Sequence, residues 1–191
     1  MADLVKCEIV KFGPCRFIGK SVYARAIFEG GEDALHSGMV FGGMWRQRDW
    51  ISNTPDGLKD FATDVKHNVA LLTWEKYDDK NQLEGYTVGR FMRADTPVPN
   101  QMDYVDIPEM YVAKAIVKGE IDLIKRRETG EFFDMIGGAE NWGHEEIKRQ
   151  GIYHYNHIFL AEVYTELPDE DGNVFNWEFW VACSLNNPSP A

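Results

Sequence analysis

An internal repeat constrains the fold more than any other feature of the sequence. Residues 14–22 and 108–116 place proline, aromatic, aliphatic, small, lysine, small and aliphatic residues in the same order. The offset is 94 residues, about half of the 191-residue chain. Each copy is followed by a helix-like stretch and two apolar strand-like runs. The sequence therefore predicts one domain made of two repeats, at about 1–95 and 105–191.

Hydrophobic periodicity predicts an α+β fold with an antiparallel sheet, because single helices separate strands that are closed by hairpins. The stretch 137–151 contains glycines and a tryptophan and is predicted to be a connection, with a helix start at 144–146. The predicted strands are 5–11, 16–28, 68–77, 83–93, 110–117, 157–167 and 174–185, and the predicted helices lie near 38–51 and 121–136.

Composition excludes several classes of protein. Hydrophobic residues make up 44% of the chain, which is too many for a disordered protein, and no apolar run is long enough to span a bilayer. The net charge is −11, and residues 151–191 contain six acids and no Lys or Arg, so nucleic-acid binding is not expected. Charges interrupt the first residues, so no secretory signal is predicted and the expected compartment is the cytoplasm.

No cofactor or metal is predicted. Cys7, Cys15 and Cys183 lack metal-ligand spacing and are expected to be free thiols. The pair His154 and His157 has no nearby cysteine and no zinc-protease pattern. The paired glycines match neither a dinucleotide fingerprint nor a phosphate-binding loop.

The final strand, 174–185, has an informative alternation. One face is apolar, whereas the other combines Trp180 with the carboxylate of Glu178. Such a strand is expected where helices cover one side of a sheet and a ligand cleft lies on the other, although an edge strand with a solvated Glu178 explains the pattern equally well. The faces are Phe175, Trp177, Phe179 and Val181, and Asn176, Glu178, Trp180 and Ala182.

The chain resembles the GyrI-like small-molecule-binding domain, which is also the effector-binding domain of multidrug-responsive regulators, a bacterial family. The resemblance covers nearly the whole chain and depends on the order and spacing of its motifs. It implies two β-α-β-β repeats related by a pseudo-twofold axis, with a concave antiparallel sheet and helices on the other face. The matching stretches are Gly38-Met39 through Met44-Trp45, Glu84-Gly85-Tyr86-Thr87-Val88-Gly89, Asp106-Ile107-Pro108-Glu109-Met110-Tyr111-Val112 and Trp177-Glu178-Phe179-Trp180-Val181-Ala182.

The resemblance also implies a site. Glu178 matches the pocket glutamate of the family, and repeat symmetry places Tyr86 opposite it. The family usually continues Glu-x-Tyr-x-Pro, whereas Trp180 and Ala182 follow here, and 137–151 differs from the usual helix exit. Glu162 is a second acid within an apolar run. The expected ligand-binding residues are Trp45, Trp74, Trp180, Phe41, Tyr164 and Glu162.

Three functions stay open. A stand-alone protein without a DNA-binding region is expected to bind aromatic or cationic lipophilic molecules through ring stacking and the Glu178 carboxylate. A cofactor-independent hydrolase of cyclopropanoid compounds would use Glu178 to activate water and Tyr86 to stabilise an oxyanion. A protein-interaction module of the gyrase-inhibitor kind is the third. Neither a nucleic acid nor a membrane is an expected partner, and monomer and homodimer both stay open.

Overall fold

The computed structural model describes residues 3–25, 56–65, 67–73, 83–120, 131–164 and 174–186. These residues form eight strands, one α-helix and a short 3-10 helix, Asp56–Phe61. The α+β class is confirmed. The strands are β1 Asp3–Phe12, β2 Cys15–Arg25, β3 Asn68–Thr73, β4 Leu83–Arg93, β5 Asp103–Ile107, β6 Met110–Glu120, β7 Tyr153–Tyr164 and β8 Val174–Leu185, and the helix is α1 Glu131–Gln150.

The chain divides into two compact units. The discontinuous unit contains Met1–Phe12 and Met110–Ala191, and the continuous unit contains Gly13–Glu109. The first strand therefore packs with the second half of the chain. Strand β5 was not predicted, because its short run of alternating residues follows a proline-rich stretch that reads as a joint.

The discontinuous unit has the strand order β1-β6-β8-β7, with antiparallel pairing throughout. Helix α1 packs on the face of β6 and β8 that carries Ala113 and Val181, which are both fully buried. A Cβ atom added to Gly143 of α1 would lie 2.5 Å from Val181 Cγ2. The thiol of Cys7 on β1 donates a hydrogen bond of 3.5 Å to the carbonyl of Trp142 on the same helix. Small side chains thus allow the helix to approach the sheet closely.

The predicted end of this helix was wrong. The glycines within 137–151 indicated a connection, because glycine in a helix costs about 1 kcal/mol relative to alanine. In the structure α1 continues to Gln150, so the expected helix start at 144–146 lies within its C-terminal turns. Close packing at Gly143 offsets the low helix propensity there. The helix ends where Gly151 adopts a φ of +69° and its N–H donates to the Ile147 carbonyl at 3.3 Å. Residues 121–130, where the predicted helix begins, lie outside the described residues.

The continuous unit has the strand order β3-β4-β2-β5. Gly19 of β2 lies directly opposite Gly89 of β4. A Cβ atom on Gly19 would lie 2.3 Å from the Val88 carbonyl oxygen, so the two backbones approach too closely for a side chain. At the edge of this unit the Arg16 guanidinium donates to Asp106 at 2.6 and 3.0 Å and to the Thr96 carbonyl at 2.8 Å. These hydrogen bonds connect Arg16 of β2 to β5 and to the turn at Thr96 that precedes β5.

The helices within the described ranges include none that is both long and apolar enough to cross a membrane. The predicted helix near 38–51 lies outside these ranges.

Candidate functional site

Strand β8 directs Glu178 and Trp180 away from helix α1. Val181 contacts the helix at Gly143, and side chains alternate along a strand, so Glu178, Trp180 and Ala182 point to the opposite face of the unit. The alternation in the sequence predicted this separation. On this face Trp180 lies directly opposite Lys114 of β6, and Ala161 of β7 lies on its other side.

The indole of Trp180 is the centre of this face. Its ring is 1% exposed, and its Nε1 donates a hydrogen bond of 2.7 Å to Glu178 Oε2. The Phe12 ring, at the end of β1, meets the indole edge to face with centroids 5.1 Å apart. Phe159 of β7 extends this packing at 6.4 Å from Phe12. The aromatic rings and the hydrogen bond therefore fix the plane of Trp180.

A lysine ammonium lies over the indole. Lys114 Nζ is 3.9 Å from the Trp180 ring centroid, which is cation–π geometry. Burial lowers the pKa of Lys114, while the negative charges of Glu178 and Glu8 act in the opposite direction. Burial dominates because desolvation disfavours the charged amine.

Glu8 is the second carboxylate of this face. It lies directly opposite Lys114 on β1, and it forms an ion pair with Lys6 of the same strand. The carboxylate of Glu8 is partly solvent-exposed, as are Lys114 and Glu178. We refer to Trp180, Glu178, Lys114, Glu8 and Phe12 as the Trp180 cluster. Counted with Lys6, which pairs with Glu8, this face carries two carboxylates and two ammonium groups, and Glu178 is the carboxylate that contacts the indole.

The cluster is chemically suited to binding an organic cation. An aromatic face attracts a cation through its quadrupole, and a neighbouring carboxylate neutralises the charge. The carboxylate of Glu178 also orients the indole that it neighbours. The same atoms thus provide a flat apolar surface and a negative charge within one short stretch of β8.

Glu162 and Tyr86 are the other described residues that were predicted for the site. Glu162 is 8% exposed and lies opposite Phe179, which places it on the helix side of the sheet, away from Glu178. Tyr86 belongs to the continuous unit, where it is 6% exposed and lies opposite Val22 of β2 and Leu72 of β3. The catalytic partnership of Tyr86 with Glu178 stays a prediction.

The remaining expected ligand-binding residues cannot be placed in the site. Trp45, Trp74 and Phe41 lie outside the described residues, and so does the side chain of Tyr164, although its backbone ends β7. Their roles stay predictions.

Sequence reasoning missed Lys114, Glu8 and Phe12 as members of the site. One signal for Lys114 was present, because it is the lysine of the repeated motif and it interrupts the apolar run 110–117. Lys114 and Trp180 are 66 positions apart in the chain, and the register of β6 against β8 brings them directly opposite each other. Periodicity within a single strand does not contain that information.

The histidine pair forms other contacts. His154 Nδ1 lies 3.1 Å from Asn186 Oδ1, and the ring of His157 contacts that of Tyr155 at an angle of 48°, with centroids 4.0 Å apart. Within the described part of the chain, no group of three or more His, Cys, Asp or Glu side chains is arranged to hold a metal ion.

The chain has a GyrI-like fold, as its similarity to solved structures shows. The chain is similar to SAV2435 bound to tetraphenylphosphonium, with a TM-score of 0.58, 10% identity and 94% of each chain covered. It is also similar to a protein from Staphylococcus aureus MU50, with a TM-score of 0.55, 13% identity, and 94% of this chain and 98% of that chain covered. An integron cassette protein of Vibrio cholerae gives a TM-score of 0.51 at 12% identity, with 95% of this chain and 98% of that chain covered.

No protein-family model and no curated protein matches the sequence. The similarity to the solved structures therefore establishes the fold alone.

Proposed function

We propose that this protein binds lipophilic aromatic molecules, organic cations included, at the Trp180 cluster. The observation that carries the proposal is the Lys114 ammonium 3.9 Å from the centroid of the Trp180 ring, beside a carboxylate that holds the same indole. The site thus has the groups that a bound organic cation requires: a fixed aromatic face and a negative charge next to it.

The similarity in fold supports this proposal from a second direction. The solved structure of SAV2435 contains tetraphenylphosphonium, a lipophilic cation with four aromatic rings. A related fold therefore accommodates this class of ligand. In the present chain Glu178 provides the counter-charge and Trp180 the stacking surface, while Phe12 and Phe159 provide further apolar contact area.

Titration with tetraphenylphosphonium tests the proposal. Isothermal calorimetry of the wild-type protein is expected to give saturable binding, and Glu178→Gln is expected to weaken it by about 10-fold, as expected for loss of a partly buried charge partner. Glu145→Gln is the matched control, because that carboxylate is exposed on α1 and its loss changes the net charge equally. It should leave the affinity unchanged.

Tetraphenylborate separates charge from shape in the same experiment. It has the size and rings of tetraphenylphosphonium but carries a negative charge, so the Glu178 carboxylate next to the indole should disfavour its binding. Equal affinity for the two ions would contradict a cation site, and absence of tetraphenylphosphonium binding to wild-type protein and to all variants would refute the proposed function.

The repeat prediction belongs to the same proposal. We infer that one duplicated segment gave rise to both units, since β6, β8 and β7 pair in the order in which β2, β4 and β3 pair. Lys20 and Lys114 occupy equivalent places in the repeated motif. Only the second copy combines that lysine with a tryptophan directly opposite on the neighbouring strand, because Val88 lies opposite Lys20.

A further inference from the structure

We propose that Lys114 is a tethered competitor for the cation site. A ligand must displace the ammonium of Lys114 from the Trp180 ring before it can bind. This inference rests on the proposed function and adds to it a residue that sets affinity and selectivity. Weakly lipophilic amines would fail to displace the lysine, whereas a large aromatic cation would gain enough apolar contact to do so.

The burial of the two residues supports displacement. The Trp180 ring is 1% exposed, so its face is not accessible to a ligand while the surrounding groups stay in place. Phe12 meets the ring edge to face, and Ala161 and Lys114 lie on the neighbouring strands. Lys114 is partly exposed and, unlike Phe12 and Ala161, has a long flexible side chain. Its ammonium can therefore leave the ring without movement of the backbone.

The cation already on the ring defines what a ligand has to replace. The ammonium of Lys114 occupies the position over the indole that a bound cation would take, at 3.9 Å from the centroid. Two cations cannot share that face at low cost, because like charges at such distances repel each other. Binding is therefore an exchange of one cation for another, and the ligand gains only the difference between the two interactions.

Glu8 provides a place for the displaced ammonium. It lies directly opposite Lys114 on β1, and its carboxylate, which also pairs with Lys6, is partly exposed and can accept a second ammonium. A lysine that swings from Trp180 towards β1 remains next to a negative charge, which reduces the cost of displacement. Glu8 is therefore expected to favour ligand binding through Lys114, although it need not touch the ligand.

Calorimetric titration of tetraphenylphosphonium into Lys114→Met is the first test. Methionine preserves the apolar stem and removes the charge, so affinity should rise by roughly 3- to 30-fold, the range expected for one cation–π contact. Lys114→Arg keeps a cation on the ring and should bind as weakly as the wild type. Lys148→Met is the matched control for net charge, since Lys148 is exposed on α1, and it should have no effect.

Salt separates displacement from general electrostatic repulsion. At about 0.5 M salt the screening length is about 4 Å, so the effect of a distant charge disappears. The tighter binding of Lys114→Met should persist there. Under the same conditions Glu8→Gln should weaken binding in the wild type and have no effect in the Lys114→Met background, because its role depends on the lysine.

Proton NMR observes the displacement directly. In the free protein the ε-methylene protons of Lys114 should resonate upfield because they lie over the indole, and saturation with tetraphenylphosphonium should move them to the position of those of Lys148. Three results would each overturn the inference and leave the binding function intact. The first is equal affinity of the wild type and Lys114→Met, and the second is binding by Lys114→Arg as tight as by Lys114→Met. The third is an unchanged lysine signal at saturation. Failure of every variant to bind would instead refute the proposed function, and the inference with it.

Discussion

Glu178 and Trp180 are two positions apart on one strand, and the indole Nε1 of Trp180 donates to Glu178 Oε2 at 2.7 Å. Alternation places both side chains on the same face of β8. The carboxylate therefore orients the tryptophan as well as providing charge, which links the stability of the site to its chemistry.

The first prediction concerns this hydrogen bond. Glu178→Ala should destabilise the protein by about 1–3 kcal/mol, because it removes the acceptor of a buried indole N–H. Glu178→Gln should cost less, since its amide oxygen can still accept that hydrogen bond. Urea unfolding measures both variants. A loss of stability in Glu178→Gln as large as in Glu178→Ala would show that the carboxylate charge, and not the acceptor, stabilises the indole.

The second prediction concerns the pH dependence contributed by Lys114. Its pKa is lowered from the usual 10.5 in the folded protein, mainly by burial, so the unfolded chain binds more protons in the interval between the two pKa values. Stability attributable to this group should therefore rise with pH across that interval. The difference in free energy of unfolding between wild type and Lys114→Met should shift in favour of the wild type as pH increases from neutral towards 10.5.

Comparison with Lys114→Met removes the contributions of other titrating groups, which the two proteins share. Lys148→Met, which removes an exposed lysine, should show no such shift relative to the wild type. A difference between wild type and Lys114→Met that stays constant over this interval would contradict the lowered pKa.

The third prediction concerns the contact between helix and sheet at Gly143. Alanine improves helix propensity by about 1 kcal/mol, but its Cβ would lie 2.5 Å from Val181 Cγ2. Because Val181 is fully buried, the clash should outweigh the gain, and Gly143→Ala should destabilise the protein by about 1–3 kcal/mol.

A second-site variant tests that explanation. In the Val181→Ala background the clashing methyl groups are absent, so Gly143→Ala should become neutral or stabilising there. Urea unfolding of the four proteins in the cycle measures this coupling. Equal effects of Gly143→Ala in both backgrounds would exclude Val181 as the source of the cost.

The fourth prediction concerns the three thiols. Burial raises the pKa of Cys7 and Cys183 to about 11 and that of Cys15 to about 12. Thiolates are the reactive form, so at about pH 8 only about one thiol in a thousand or fewer is ready to react. Iodoacetamide should modify the native protein slowly and the urea-unfolded protein at all three positions rapidly, as measured by intact mass. Rapid alkylation of native Cys15 would contradict this prediction.

The sequence predicted those parts of the fold that depend on local pattern. Strand β4 was predicted with its observed bounds, and the two faces of β8 were assigned correctly, because alternation within a strand is visible in the sequence. The helix end at Gln150 was missed because the benefit of a glycine at position 143 arises from Val181, which belongs to a different element.

The same limit applies to the site. Glu178 and Trp180 were recognised as neighbours on one strand, and the structure joins them by a hydrogen bond. Lys114 and Glu8 enter the cluster through the registers of β6 with β8 and of β1 with β6. Register follows from how strands pair in three dimensions, so no inspection of a single run of residues could have placed the lysine over the indole.

The pairing of β1 with β6 has a consequence for synthesis on the ribosome. Glu8 pairs with Lys114, more than a hundred positions later, so β1 leaves the exit tunnel long before its partner strand. The continuous unit is complete in sequence once Glu109 has been added, whereas the discontinuous unit lacks its β8 strand until Leu185. Glu178 and Trp180 are thus synthesised after every other described strand of the unit. A polypeptide released before β8 would contain Lys114 but not Trp180, so it would lack the proposed ligand site.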